Sequence, residues 1–335
     1  LLAGFYAFFI SGENLMAHQV ENMAYVGQTP WHGLGNQLAK RQSIDVWAKQ
    51  AGMNWDIRET PVRFMSKSTD YLGEIMSFPE QKVLFRSDTN APLSVVSQRY
   101  HVVQPREILE FYRDLTKVSG FELETAGVLK GGKKFWALAK TGQSTALKGN
   151  DITNGYVLLA TACDGTLATT AQFTSIRVVC NNTLAVALAG GCCSAVKVPH
   201  NTTFDAQAVK KQLGISVSSW DQFMYRMKTL SDRKVKPKEA QNYFLRVFTD
   251  QDKAPVGLTN ERSMAKALEL FDGRGRGSEL DSAKGTAFGL LNAVTEFVDH
   301  ERRARSVDNR LDSAWFGQGA NIKQKALEQA WLMVA

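Results

Sequence analysis

The apolar and polar positions between residues 155 and 189, GYVLLATACDGTLATTAQFTSIRVVCNNTLAVALA, follow one another with almost no slack. Residues 156–162 form an apolar, β-prone run. Asp164-Gly165 is a two-residue hairpin signal, because both central positions of a type I′ turn need positive φ. Residues 166–173 return as a Thr-rich, alternating strand. Thr174 and Ser175 are good helix N-caps. Ile176, Val179, Thr183 and Ala187 then recur at three- and four-residue steps, which predicts a helix with Arg177, Asn181 and Asn182 on its polar side.

The same reading extends in both directions. Ser43 caps a short helix that buries Val46, Trp47 and Ala51 and ends at Gly52. Alternation predicts strands over 55–64, 74–79, 82–86 and 93–97. Pro105 suits the first turn of a helix over 105–118, with Ile108, Phe111, Tyr112 and Leu115 on one side. Residues 121–129 and 134–141 make a hairpin whose tip is Lys130-Gly131-Gly132-Lys133-Lys134. The order over 105–190 is therefore helix, hairpin, hairpin, helix. Small residues from Gly190 form a linker. Beyond Asp205 the pattern is helical: 207–213, 219–230, 237–248, 260–271, a long helix over 282–303, and 322–333. The predicted fold is α+β, an antiparallel β-hairpin sheet backed by helices, with a helical C-terminal region. Four segments result: 1–15, an N-terminal α+β part over 16–104, the core over 105–190, and a basic helical region over 205–335.

Composition adds a partner class. The chain has 335 residues, 44% of them hydrophobic and 22% charged, as in a soluble globular protein. Its net charge of +7 suits a polyanion. Nine basic and three acidic residues lie between Val209 and Phe248, so this window holds nearly all of the excess. Residues 1–15, apolar and preceding Met16, lack the basic flank of a signal peptide and are too short to span a bilayer. They read as translated upstream sequence, or as a short arm that docks on a neighbour. No membrane span is expected elsewhere. Cys163, Cys180, Cys192 and Cys193 lack zinc-ligand spacing and read as reduced, buried thiols.

The chemistry-bearing motifs are few. Residues 127–134, GVLKGGKK, approach a phosphate-binding loop, but Lys134 replaces the hydroxyl that holds Mg²⁺ and a strand follows where a helix must open. Neither GxSxG nor HExxH occurs, and no catalytic residue, metal site or cofactor is expected. Glu122 and Glu124 share a strand face by the period of two. With Asp164 they would carry an alternative reading, a metal-dependent nuclease. The lysine tip is more suggestive. Lys130, Lys133 and Lys134 can track a phosphate backbone, with Lys140, Arg177 and Arg99 extending the surface. Tyr100, Phe135, Trp136 and Tyr156 are candidates for base stacking, although Phe135 and Trp136 must face opposite ways.

PWHGLG (30–35), SQRYHVVQP (97–105), FTSIRVVCNNTLAVAL (173–188), GTAFGLLNAVTEFVDH (285–300) and RLDSAWFG (310–317) occur in one order. On these motifs the chain resembles the phage/plasmid-like proteins of domain of unknown function 932. That resemblance implies a phage, prophage or plasmid setting in a bacterial cytoplasm and brings no activity with it. The layout of residues 105–190 also resembles single-strand annealing proteins of the Redβ, RecT and Rad types. This implies ATP-independent annealing of single-stranded DNA by a homo-oligomeric ring or filament. A phage structural or host-interaction role is the third expectation.

Overall fold

The computed structural model describes residues 20–27, 35–66, 73–179, 182–185, 195–217, 220–249 and 258–334. The PWHGLG segment up to residue 34, the linker from Gly190, residues 1–15 and Cys180, Cys192 and Cys193 lie outside these.

The chain is α+β, with one mixed sheet, one antiparallel sheet and helices. The large sheet contains β1 (Val20–Val26), β2 (Asn36–Leu38), β6 (Glu122–Leu129), β7 (Lys134–Ala146), β8 (Ile152–Ala162), β9 (Thr169–Arg177), β10 (Asn182–Ala185) and β11 (Ala195–Val198). Its order is β10-β9-β8-β7-β6-β1-β2, antiparallel except for the parallel β1–β2 pair, and β11 shares the outer edge of β9 with β10. The small sheet is β3 (Ile57–Met65), β4 (Ile75–Arg86) and β5 (Pro92–Ser97). The helices are α1 (Ile44–Gln50), α2 (Pro105–Ser119), α3 (Ala206–Val217), α4 (Trp220–Asp232), α5 (Pro237–Phe248), α6 (Leu258–Glu269), α7 (Ala287–Glu296), α8 (Val307–Phe316) and α9 (Gln318–Trp331).

Both faces of the large sheet are covered, which is why β8 and β9 are buried almost throughout. Phe135, Ala137, Ala139, Val157, Leu159 and Phe173 face a core shared with α1, α2, α4, α5 and the C-terminal helices. Trp136, Leu138, Tyr156 and Leu158 alternate to the other side, where Leu311, Trp315 and Phe316 of α8 close over them. Trp136 and Trp315 meet edge to face at 5.0 Å. Phe135 and Trp136 do face opposite ways, but both are buried, at 0% and 3% exposure.

Three local expectations are corrected. The helix expected after Thr174 is instead the continuation of β9, a turn and β10, with Asn182 opposite Arg177 and Ala185 opposite Thr174. Its β-branched residues suit a strand, and Thr153–Ala160 of β8 offers a continuous ladder that an isolated amphipathic period does not outweigh. Among the described residues of 105–185 the order is thus one α-helix followed by strands, with a single 3-10 turn at Lys130–Gly132. The Asp164-Gly165 turn is wider than two residues, since β8 ends at Ala162 and β9 begins at Thr169. Asp164 Oδ1 accepts from the Thr166 backbone N at 3.0 Å and Oγ1 at 2.6 Å, an Asx turn. Finally, the long C-terminal helix starts at Ala287, not 282. Gly285 has φ +62°, and Thr286 caps the helix by accepting from the Gly289 N. Strand β11 and helix α8 carried no recognisable period.

The C-terminal helices are fastened to the sheet by buried charge. Arg177 (4% exposed) forks onto Asp151 (0%) with Nε–Oδ1 2.7 Å and Nη2–Oδ2 2.8 Å. Ser282 donates to the same carboxylate, and the Gly277 carbonyl accepts from Arg177 Nη2 at 2.9 Å. Residue 277 must be glycine here. Its φ is +69°, and a Cβ would come within 2.7 Å of Val179 and 3.1 Å of Arg177. A second buried pair, Lys323 Nζ to Asp299 Oδ1 at 2.8 Å, ties α9 to Thr183 of β10, whose backbone N donates to Asp299 Oδ2 at 2.8 Å. Replacing Arg177 by Leu leaves Asp151 buried without its guanidinium. The expected loss is about 3–5 kcal/mol of unfolding free energy, read from urea denaturation.

Candidate nucleic-acid interface

Packing sorts the basic window at 209–248 into bound and free charge. Arg226 lies 4.8 Å over the Trp331 ring and Lys210 5.3 Å over Phe111. Arg233 Nη2 pairs with Glu239 Oε1 at 2.6 Å. Arg233, together with the Lys236 backbone N–H donating at 2.8 Å, holds the Glu239 carboxyl below its usual range. α4 buries Trp220, Phe223, Met224, Met227 and Leu230, and α5 buries Ala240, Tyr243, Phe244 and Val247. Their periods leave Tyr225 and Lys228 of α4, and Lys238 of α5, on the solvent side.

The turn between these helices is held extended against the segment before α7. Val235 N donates to the Gly285 carbonyl at 3.0 Å, and Ala287 N to the Arg233 carbonyl at 2.9 Å. Lys284 is thereby brought beside Lys234, whose Nζ donates to the Lys284 carbonyl at 3.2 Å. Lys148, two residues beyond β7, reaches the Ser231 carbonyl at 2.9 Å and Asp232 Oδ1 at 2.7 Å. Lys228, Lys234, Lys236, Lys238 and Lys284 are exposed and form no ion pair among the described residues. They gather around the N-terminus of α5, where the helix dipole adds positive potential. Tyr225 is 71% exposed one turn before Lys228, a flat ring beside a cation.

The residues expected from sequence are distributed differently. Lys130 and Lys134 share Asp312 of α8, at 2.6 and 2.5 Å, and Lys134 is 5% exposed. Lys133 is half-buried beside them. Arg99 is exposed at the same end, adjoining Tyr100, which donates to the Ala162 carbonyl at 2.6 Å and stacks on His200 at 4.4 Å. Lys140 is half-buried opposite Tyr156. Arg177 is in the buried pair with Asp151. Lys134 faces Ala162 and Arg177 faces Thr153, nine residues apart on β8, or about 30 Å. The lysine tip and Arg177 therefore do not form one groove. Of the four stacking candidates, Phe135, Trp136 and Tyr156 are buried and Tyr100 is partly buried.

The three candidate carboxylates are also apart. A bulge at Glu124 breaks the period of two from Glu122. Glu122 is exposed, while Glu124 is half-buried and accepts from the Tyr156 hydroxyl at 3.1 Å. Asp164 lies past the far end of β8, six β7 residues from Lys140 and Glu122, or about 20 Å. Among the described residues no three His, Cys, Asp or Glu side chains are placed to hold a metal ion. Cys163 is a buried free thiol, pushed up to about 12 by burial.

The fold thus defines an α+β protein with a lysine-rich helical corner, and no helix among its described residues is long and apolar enough to cross a membrane. Residues 92–315 match the profile of the family described as Domain of unknown function (DUF932), and the chain belongs to that family. No curated protein and no solved structure matches it.

Burial pushes the Glu124 carboxyl above its usual value of 4.5, against the smaller opposing effects of Tyr156 and Lys140. The folded state therefore holds this proton more tightly than the unfolded state. Its stabilising contribution is present below the unfolded value and is lost as pH rises through the folded one. Glu124→Gln should flatten the fall in urea midpoint between pH 5 and pH 7.5.

Proposed function

We propose that this chain binds single-stranded nucleic acid through the α4–α5 corner. The observation that carries the reading is the group of five lysines, Lys228, Lys234, Lys236, Lys238 and Lys284, exposed and in no ion pair among the described residues, on and around the turn from α4 to α5. Phosphate oxygens are the ligand such a group recognises. Each neutralised phosphate releases counterions, so affinity from this source falls with salt. Tyr225 supplies a ring on which a base can stack, and stacking tolerates any base because each has a π-face. A single strand held by its backbone keeps its pairing edges free. That is the property ATP-independent annealing needs, and annealing in phage or plasmid recombination is the role we assign. Phosphate recognition moves here from the Lys130–Lys134 tip, where Asp312 engages Lys130 and Lys134. The corner lies beyond the opposite end of β7, twelve residues or about 40 Å away.

The test is fluorescence anisotropy with a labelled oligonucleotide across a salt series. Binding should weaken steeply with salt. Replacing Lys234, Lys236 and Lys238 together by Ala should flatten the log–log slope by about two units. Tyr225→Ala should cost about 1–3 kcal/mol at fixed salt, and the unaltered protein should speed pairing of complementary strands without cleaving them. Binding that ignores both variants would refute the assignment to this corner.

A further inference from the structure

The small sheet has a second apolar face. Ile57, Lys82, Leu84, Arg86 and Val96 point towards the core and are buried. Alternation and the pairs Thr60–Val83, Val83–Val95, Val62–Phe78 and Phe64–Met76 place these side chains on the outward face, while the Met65–Ile75 pair at the tip alternates to the other side and is exposed there, at 69% and 68%. Such a face is ordinarily polar. Here Phe64 and Met76 are each 48% exposed, Phe78 40% and Val95 55%, and no described element covers them.

The face is continuous. The irregularity between Pro61 and Val62 inserts its extra residues into β4, while β3 runs on without interruption. Beyond it β5 no longer pairs, so residues 62–65 and 75–78 form a two-stranded ribbon. A ribbon of this kind is marginal in water by itself. Pro61 and Pro79 stand at the irregularity, and proline cannot donate to a ladder, so growth by adding a strand at the edge is disfavoured. The broad face is what remains for a partner.

Charge at the two ends of the stripe identifies that partner. Arg58 lies at the base and Glu74 at the tip. Both are exposed, and neither forms an ion pair among the described residues. Ser66 N donates to the Glu74 carbonyl at 2.9 Å, so Glu74 stands eight β3 residues from Arg58, or about 27 Å. The midpoint is the Val62–Phe78 pair. A two-fold axis there lays stripe on stripe, with Arg58 of each copy over Glu74 of the other. A self-complementary patch is what an isologous dimer requires. We propose that this face joins two copies of the chain in a two-fold dimer.

The experiment is sedimentation equilibrium on the full chain. The unaltered protein should have twice the 37.1 kDa monomer mass. Phe64→Ser with Met76→Ser should give a monomer with unchanged circular dichroism. Arg58→Glu should weaken the dimer by about tenfold through two repelling pairs, and adding Glu74→Arg should restore it. A monomer at the highest soluble concentration, a larger closed assembly indifferent to the apolar variants, or a charge exchange that fails to restore dimerisation would each overturn the interface. The face shares no residue with the lysine corner, so either assignment can fail alone.

Discussion

The fork of Arg177 onto Asp151 is the contact on which the two halves of the molecule depend. It joins β9 to the loop before β8, and through Ser282 and Gly277 it takes hold of the segment that leads into α7. Two charges removed from water are tolerated only where geometry and further hydrogen bonds compensate the desolvation. The bidentate fork, the serine hydroxyl and the glycine carbonyl are that compensation. They also restrict the approach, because a guanidinium of fixed shape accepts one arrangement of its partners.

The same device recurs in the motifs on which the family resemblance rests. Asp299 of the GTAFGLLNAVTEFVDH segment meets Lys323 and Thr183, and Asp312 of RLDSAWFG receives Lys130 and Lys134. These two carboxylates are staples between sheet and helix. In this chain these motif residues therefore hold the interior together. This also explains where the positive charge goes, since cations spent on buried carboxylates are not presented to a polyanion.

The surfaces left over differ in kind. The α4–α5 corner is cationic and solvated, with its lysines carried by α4, α5, the turn between them and the segment before α7. The outward face of the small sheet is apolar and bounded by one charge of each sign. A cationic patch suits a charged ligand that exchanges with salt, whereas an apolar stripe suits a lasting contact. The two proposals assign a strand to the first surface and a second copy of the chain to the other.

Much of this was legible in the residues. The helix capped at Ser43, the periods over 105–118, 219–230 and 237–248, the hairpin of 121–129 and 134–141 and the concentration of basic residues at 209–248 are local properties, read from local propensity and patterning. What no local signal carried is partner choice. Residues 176–187 have a helical period, yet a neighbouring strand with open hydrogen bonds extended the sheet to 177 and paired 174–177 with 182–185. Lys134 and Arg177 look like free cations until Asp312 and Asp151 arrive from 178 and 26 residues away. The corner lysines are left out of ion pairs among the described residues for the converse reason, that the neighbouring carboxylates Asp232 and Glu239 are taken by Lys148 and Arg233. The sequence by itself determined how much charge and apolar surface the protein has; only the tertiary structure decided which of it is left unpaired, because pairing depends on distances in space that a linear period does not encode.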